Sequence, residues 1–219
     1  MKKFSFGMLA ALLTALLMAG AAQASDQLVV YTDYDNPDNH FFYKAAFFSD
    51  GGLAYLSAMN EQDTENVHSG STDIRCQFEV RTDNWGGWYF QNGVVSPEAE
   101  ALVENWGTVP NAGLDLSPYS KLTFWARGDE GGEQVQFFCL GIGRDSQTDA
   151  TQAAYPYPDS SPKQSTKYLK LNKEWTQYTI DLKGCDLSYV LGGFGWATSA
   201  AKNSGRSSIA FCLDDIVYE

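Results

Sequence analysis

Histidine and positive charge are both scarce in this sequence, and each shortage narrows what the chain can do. Its 219 residues include two histidines, and its 27 Asp and Glu residues outnumber its 15 Lys and Arg residues. It also lacks a Gly-x-Ser-x-Gly nucleophile turn, a phosphate-binding glycine loop and a His-Glu-x-x-His metal motif. Enzymes that depend on these motifs are therefore excluded, and an enzyme is the less favoured interpretation.

The excess of acidic residues limits the partners that the chain can have. The formal net charge is −12, and it becomes −14 when Lys2 and Lys3 are removed with the leader described below. A surface this acidic repels the phosphates of nucleic acids and anionic lipid headgroups. Nucleic acid and membrane surfaces are therefore not expected partners, whereas neutral glycans, small molecules and cations remain candidates.

Long apolar runs are absent except near the amino terminus. Lys2 and Lys3 precede an apolar run at residues 8–19, and Ala22-Gln23-Ala24 follows as a small-x-small cleavage pattern. The run is too short for a typical membrane span, and the three parts together predict a signal peptide over residues 1–24. We therefore expect export to the periplasm or beyond, no membrane insertion, and a single domain over residues 25–219.

Cysteine is sparse, with four residues at positions 76, 139, 185 and 212. In an exported protein such cysteines are expected to form disulfides, and four cysteines allow three complete pairings. Cys76 also fits the alternative of a buried free thiol, because it shares a strand face with Ile74 and Phe78. No spacing among the four resembles a zinc motif.

Short runs of alternating apolar and polar residues make up most of residues 25–219, separated by Gly, Asn, Asp, Pro and Ser. This pattern is typical of β-strands with one buried face. Strands are predicted at 27–33, 73–81, 120–127, 133–140, 175–182 and 208–218, with weaker ones at 41–48, 53–58, 87–91, 166–171 and 191–197. The sequence therefore predicts an all-β fold, an antiparallel β-sandwich or jelly roll with one or two short helices.

One helix is predicted from its start signals. Ser96 is a capping residue, Pro97 suits the first helical position, and Glu98 and Glu100 suit the first turn, so the helix would run from residue 96 to about Trp106. Residues 147–165 are predicted to form a long loop, and a loop of that length in a compact domain often carries function.

The strands at 120–127 and 133–140 predict a polar and aromatic outer surface. Alternation directs Leu122, Phe124, Ala126, Val135, Phe137 and Cys139 inward, and it directs Trp125, Arg127, Gln136 and Phe138 outward. A glycine-rich connection at 128–132 favours a hairpin, which would bring the four outward residues together. Aromatic planes beside amide and guanidinium donors suit a sugar, although a helix or loop covering the sheet would make Trp125 a packing residue.

Further aromatic residues are candidates for sugar contacts because glycines surround them. They are Trp85, Trp88 and Tyr89 in NWGGWYF, Trp106 in ENWG, and Trp196 in GGFGW. For each of them ligand contact and ordinary packing remain open alternatives.

Three segments resemble the galactose-binding-like jelly rolls that include many bacterial carbohydrate-binding modules. They are LDLSPYSKLTFWARGDEGGEQVQFF, LNKEWTQYTIDLKGCDLSYVLGGFGWA and SSIAFCLDDIVYE, with VVYTDYDN and NWGGWYF similar more loosely. The resemblance covers most of residues 73–219. It implies a jelly roll whose first and last strands lie side by side, and a non-catalytic glycan-binding role.

The resemblance also implies a structural calcium ion where the first and last strands meet. Carried over by motif, its ligands would include Asp33 of VVYTD and Asp214 of LDDI. Strict alternation along 209–218 directs Asp215 inward instead, and a bulge at the acidic pair would reconcile the two assignments. Both aspartates therefore stay candidates, and the alternative is that the pair ends the strand and faces solvent.

The leading hypothesis is an exported, non-catalytic protein that binds neutral oligo- or polysaccharide through aromatic platforms. A protein-interaction or structural role in the cell envelope, with an envelope protein as partner, is the first alternative. A jelly-roll glycan hydrolase or lyase is the second, because sequence alone does not exclude two carboxylates across a cleft.

Overall fold

The computed structural model describes residues 27–49, 59–145 and 148–219. The predicted signal peptide and the predicted strand 53–58 lie outside these residues. The strands are β1 (Leu28–Tyr31), β2 (Tyr43–Phe48), β3 (Asn60–Asp63), β4 (Asp73–Glu79), β5 (Trp85–Gln91), β6 (Val94–Ser96), β7 (Ala101–Val103), β8 (Lys121–Gly128), β9 (Gln134–Cys139), β10 (Arg144–Asp145), β11 (Asp149–Ala153), β12 (Gln164–Ser165), β13 (Leu169–Lys170), β14 (Thr176–Asp181), β15 (Gly192–Ser199) and β16 (Ser208–Tyr218). Within these ranges no helix is long and apolar enough to cross a membrane.

Two antiparallel sheets form the body of the protein, as the alternation predicted. In the first sheet the strand order is β14-β8-β16-β4-β3, and β1 also pairs with β16. In the second sheet the order is β12-β9-β15-β5-β2, and β13 also pairs with β9. The pairing of Leu28 with Tyr218 places the first and last strands side by side, which confirms that expectation.

The core lies between the two sheets and is rich in aromatic residues. Phe124 of the first sheet packs against Phe137 and Phe194 of the second, with ring centroids 4.7 and 5.2 Å apart. Trp196 of the second sheet meets Phe211 of the first edge to face at 5.0 Å. The six residues that alternation directed inward on β8 and β9 are all fully buried here: Leu122, Phe124, Ala126, Val135, Phe137 and Cys139.

The expected hairpin between β8 and β9 is wrong, because the two strands belong to different sheets. β8 pairs with β14 and β16, whereas β9 pairs with β15. The connection 128–132 crosses between the sheets, and the buried carboxylate of Glu133 accepts the Glu130 amide at 2.8 Å beneath it. Alternation assigns a residue to a face of its own strand and does not identify the neighbouring strand.

The expected helix at 96–106 is also wrong, since the described residues contain no helix. Ser96 does cap a turn, because its Oγ accepts the Ala99 amide at 3.2 Å. Glu100 then adopts a φ of 48°, which reverses the chain. β6 and β7 therefore form a short hairpin in which Ser96 pairs with Ala101.

A bulge in β16 explains how two adjacent aspartates fit the closing strand. Leu213 is in the core before the pair, Ile216 is in the core after it, and the register with β8 shifts between Asp214 and Val217. Asp215, with a φ of 45°, is the inserted residue. The extra residue lets both carboxylates point away from the core. The bulge that would reconcile Asp214 with Asp215 as candidate metal ligands is therefore present.

The four cysteines all lie in the described ranges, and they are free thiols. Cys76, Cys139 and Cys212 are buried, and Cys185 is half-buried. The expected disulfides are therefore not formed in this structure. Cys76 packs within the core cluster, as the alternative interpretation stated.

The burial of Trp196 yields a stability prediction. Trp196→Ala is expected to lower the free energy of unfolding by about 3–5 kcal/mol, because it removes the largest fully buried side chain from between the sheets. Urea unfolding followed by fluorescence measures this. Trp85→Ala, at a tryptophan that is 49% exposed, is the matched control and should change stability by less than about 0.5 kcal/mol. Equal losses in the two variants would contradict the assignment of Trp196 to the core.

Candidate functional site

A row of aromatic side chains lies on the outer face of the second sheet. β2 contributes Phe47, β5 contributes Trp85 and Tyr89, and β9 contributes Phe138. These residues alternate with core residues such as Phe90 and Phe137, so the period of two along each strand directs them away from the core.

Two glycines make room for the rings to lie across the sheet. Gly87 is opposite Phe47, and a Cβ at position 87 would be 2.8 Å from the Phe47 ring and 1.8 Å from a backbone oxygen. Gly195 is opposite Phe138, and a Cβ there would be 2.3 Å from that ring. Any larger residue would push the rings off the strands, so the glycines around the aromatic motifs shape this surface.

The rings contact one another in a continuous series. Tyr89 meets Phe138 edge to face at 4.8 Å and Trp106 at 6.0 Å. Phe47 lies 6.0 Å from both Tyr89 and Phe138, and 6.4 Å from Trp85. The series therefore runs from Trp85 at one end to Trp106 at the other.

An open cleft of about 360 Å³ lies over most of this aromatic row, from Phe47 to Trp106, and Trp85 adjoins its end. Its lining residues are Phe47, Tyr89, Trp106, Phe138, Gly141, Ile142, Gly143, Arg144, Ala150, Tyr155, Lys163 and Ala197. The floor is the second sheet, and one wall comes from β10, β11 and the chain leading to β12. The Lys163 ammonium lies 5.4 Å above the Phe138 ring centroid. We refer to this feature as the aromatic cleft.

Arg144 fixes the wall of the aromatic cleft. Its guanidinium donates to the carbonyl oxygen of Asp159 at 2.7 Å, to that of Ser160 at 2.9 Å, and to that of Thr151. Its donors are therefore directed to backbone acceptors across the wall.

A buried carboxylate holds the base of the same wall. Asp159 is fully buried and accepts the amides of Ile142 at 2.7 Å, Leu191, and Gly192 at 3.4 Å. Burial raises the pKa of Asp159 to about 7, while the three amides and the Arg144 charge act in the opposite direction. Asp159 thus joins the wall segment to the start of β15.

Four of the eight predicted ligand-binding residues lie on this outer face. Trp85, Tyr89 and Trp106 belong to the aromatic row, and Gln136 lies beside it on β9 with its amide donating to the Thr166 carbonyl at 2.9 Å. The Tyr89 hydroxyl is already used, because it donates to the Leu140 carbonyl.

Trp88 and Trp196 are on the opposite side of the second sheet. They are opposite each other on β5 and β15, with Trp196 in the core and Trp88 packed against it. The interpretation of Trp196 as a surface platform is wrong for this structure, since its side chain is fully buried. The glycines beside these aromatic residues gave no signal of which face each ring occupies, because glycines are adjacent to residues of both faces.

Trp125 and Arg127 are on the outer face of the first sheet, away from the aromatic cleft. The Trp125 ring stacks on His68 at 3.9 Å, and His68 belongs to the β3–β4 loop, residues 64–72. Trp175 donates from Nε1 to the Asn66 carbonyl of that loop at 2.8 Å. The loop therefore covers Trp125, as the packing alternative stated. The expected surface that combined Trp125 and Arg127 with Phe138 and Gln136 does not exist, because the two pairs lie on different sheets.

The three predicted metal ligands all bind the β3–β4 loop. Asp33 Oδ1 accepts the Ser71 amide at 2.7 Å and the Thr72 amide at 2.9 Å, and these bonds lower the pKa of Asp33. Asp214 accepts the Ser69 amide at 3.1 Å.

Asp215 accepts the Ser69 hydroxyl at 2.9 Å and lies 2.8 Å from His68 Nδ1. Loop donors thus offset much of the cost of placing two carboxylates on the closing strand.

Several cleft residues were not identified as site residues from the sequence. Phe47 lies in a weakly predicted strand, and its alternation gave no reason to prefer it over Phe48. Arg144, Tyr155 and Lys163 come from or adjoin the segment 147–165, whose length was the available signal of function. Which of them would reach the cleft depended on long-range contacts such as that of Asp159 with Leu191.

Comparison with known proteins identifies the family. The family model described as carbohydrate binding domain 30 matches residues 47–218, more than half of the chain. The chain belongs to carbohydrate-binding domain family 30. Domains of this family have a carbohydrate-binding role and are typically non-catalytic. No curated protein matches the chain by sequence.

Solved structures of family 30 modules share the fold. One family 30 carbohydrate-binding module is 17% identical, with a TM-score of 0.52 over 88% of this chain and 98% of that one. The family 30 module of the cellulosomal cellulase Cel9D-Cel44B of Clostridium thermocellum is 16% identical, with a TM-score of 0.51 over 88% and 96% of the two chains. At these identities the likeness establishes a common β-sandwich.

Asp159 is predicted to be essential to the shape of the cleft in this family 30 module. Asp159→Ala should lower the free energy of unfolding by about 2–4 kcal/mol, because three buried backbone amides lose their acceptor. Asp159→Asn keeps one acceptor oxygen and should lower the free energy of unfolding by less than Asp159→Ala does.

Denaturant unfolding measures both changes. Asp115→Ala is the control, because that exposed aspartate bonds only locally to Ser117 and its loss should cost under about 0.5 kcal/mol. If Asp159→Ala is as stable as the wild type, Asp159 does not hold the cleft wall in place.

Proposed function

We propose that this family 30 module binds a neutral oligo- or polysaccharide in the aromatic cleft and does not cleave it. The observation that carries the proposal is the continuous aromatic row from Trp85 to Trp106 beneath the cleft. Trp85 is exposed, Phe47 and Trp106 are half-buried, and Tyr89 and Phe138 are buried rings that form the floor. Family membership supports the role, and the aromatic row supports the second sheet as its location.

The cleft offers the surfaces that a sugar ring requires. The faces of pyranose rings carry C–H groups that pack on aromatic planes, and their hydroxyls need polar partners at the margins. Trp85 is 49% exposed and Tyr155 is 46% exposed, so both are accessible to a ligand. Lys163 supplies a donor above Phe138. A chain of several sugar units would run along the row.

Charge favours a neutral glycan over an acidic one. The formal net charge of −12 repels polyanions. Of the two cationic residues that line the cleft, Arg144 directs its donors to backbone carbonyls, which leaves Lys163 as the accessible cation. A single exposed ammonium can donate to a sugar hydroxyl as well as to a carboxylate, so it gives no preference for an acidic glycan.

The composition of the cleft supports binding without hydrolysis. Glycosidases use two carboxyl groups about 5–10 Å apart across the scissile bond. Within the described ranges, the residues lining the aromatic cleft include neither Asp nor Glu. Asp159 lies beneath the wall, where its oxygens accept backbone amides.

Substitutions along the row test the proposal. Trp85→Ala and Trp106→Ala should each weaken binding of a soluble neutral polysaccharide at least about tenfold, or about 1.4 kcal/mol, because each removes an aromatic platform. Affinity electrophoresis against a panel of neutral β-glucans, mannans and xylans, with an acidic pectin as comparison, identifies a ligand. Titration calorimetry then measures the affinity of each variant.

Arg127→Ala is the matched control for these variants. Arg127 lies on the first sheet, where its Nε donates to the Lys173 carbonyl, so its loss should leave binding unchanged. Loss of binding in Arg127→Ala but not in Trp85→Ala would move the site to the first sheet. If no glycan binds and a stoichiometric envelope protein is captured instead, the protein-interaction alternative replaces this proposal.

A structural calcium ion held by Asp33, Asp214 and Asp215 is a second, separate proposal. Its support is that the Asp33 carboxylate, two residues after β1, and the two carboxylates of β16 bind one loop and offer the hard oxygen donors that calcium prefers. These oxygens already accept hydrogen bonds from the loop, so a bound ion would share them with Ser69, Ser71 and Thr72. Its effect would be to stabilise the β3–β4 loop.

Calcium added to chelator-treated protein is expected to raise the melting temperature by about 5–10 °C at saturating concentration, as a bound ion stabilises only the folded state. Asp214→Asn should abolish the shift, whereas Asp115→Asn should keep it. Thermal unfolding with and without calcium measures both. An unchanged melting temperature in the wild type would remove the calcium proposal and leave the glycan proposal intact. Export to the periplasm or beyond stays a prediction from residues 1–24.

A further inference from the structure

A second group of metal-ligating side chains lies on the outer face of the first sheet. Asp63 on β3 is opposite Asp73 on β4, and Cys212 comes from β16 on the other side of β4. One donor atom from each of the three lies within 4.8 Å of the others. Asp73 and Cys212 are fully buried, and Asp63 is half-buried.

Asp73 differs from the other buried aspartates because no backbone amide and no side chain outside this group donates a hydrogen bond to its carboxylate. Its side-chain contacts are with Cys212 and Asp63, the other two members of the group, and the buried Oδ2 of Asp63 accepts no hydrogen bond. By contrast, Asp159 accepts three backbone amides and Asp214 accepts two. An uncompensated buried carboxylate costs several kcal/mol, so either a shared proton or a positive ion is expected between these oxygens.

The donor set indicates which positive group fits. A thiolate with two carboxylates matches the ligands of Zn²⁺, which binds Cys sulfur and Asp oxygen in a four-coordinate geometry. Calcium and magnesium take oxygen ligands, and a sulfur at this position disfavours them. We propose that Asp63, Asp73 and Cys212 form a Zn²⁺ site, with water in the fourth position.

The surroundings of Cys212 suit this site. Zn²⁺ binding would release the thiol proton to solvent, and the three anionic ligands would give the ion and its ligands a net charge of −1. The Arg75 guanidinium, whose Nη1 lies 3.9 Å from Cys212 Sγ, faces that charge. Arg75 is itself fixed by its ion pair with Asp129.

The zinc site is independent of the two proposals above. None of its three residues lines the aromatic cleft, and none belongs to the predicted calcium set. Its effect would be to join β3, β4 and β16 on the sheet that carries the β3–β4 loop. Its failure would leave glycan binding untouched.

Metal titration of the chelator-treated protein tests the proposal. Calorimetry should show one equivalent of Zn²⁺ bound, with a higher melting temperature, and Cd²⁺ should give the near-ultraviolet absorption of a cadmium–thiolate bond. Cys212→Ser and Asp73→Asn should each weaken Zn²⁺ binding at least about tenfold and, for Cys212→Ser, remove that absorption. Cys185→Ser is the control, since that half-buried thiol lies outside the cluster, and it should behave as the wild type.

A neighbouring group, His68 with Asp214 and Asp215, is the main competitor for zinc. His68→Gln should keep the zinc affinity if the proposed site is correct. The proposal is overturned if Zn²⁺ does not bind, if Asp73→Asn binds it as the wild type does, or if His68→Gln loses binding. In each of these cases a proton shared between Asp63 and Asp73 becomes the explanation for the unpartnered carboxylates.

Discussion

The packing of aromatic residues between the two sheets is the constraint on which the rest of the structure depends. Phe124 contacts both Phe137 and Phe194, and Trp196 contacts Phe211, so rings from the two sheets interlock across the core. A slip of one residue in any central strand would move these rings to solvent. The core therefore fixes the register of each strand, and with it the residues that each outer face can present.

The two outer faces differ in what covers them. On the first sheet, the bulge at Asp214 and Asp215 supplies acceptors that hold the β3–β4 loop over Trp125. On the second sheet, Gly87 and Gly195 let the rings of Phe47 and Phe138 lie flat, while the cleft wall is held to one side by Asp159. Within the described residues, the aromatic cleft lies over this outer face of the second sheet.

Much of the fold could be predicted from the sequence, because alternation on one strand is a local property. The inward residues of β8 and β9 were identified correctly, and so was the side-by-side placement of the first and last strands. The sheet to which each strand belongs was not predictable, because the connection 128–132 fits a hairpin as well as a crossing between sheets. For the same reason Trp125 and Arg127 were grouped with Gln136 and Phe138, although the two pairs lie on different sheets. The helix prediction was wrong because the capping signals of Ser96 and Pro97 are followed by Glu100, whose positive φ reverses the chain.

Three aspartates of this chain have clear structural roles. Asp33, Asp159 and Asp214 all direct their carboxylates at backbone amides, which positions loops and walls around the sheets. A carboxylate used in this way is fixed and has few lone pairs left for a substrate. Among the described residues, those that line the aromatic cleft include several rings and two cationic side chains but neither Asp nor Glu. In the described part of this family 30 module, acidic side chains thus hold loops and walls in place, whereas aromatic rings form the floor of the cleft.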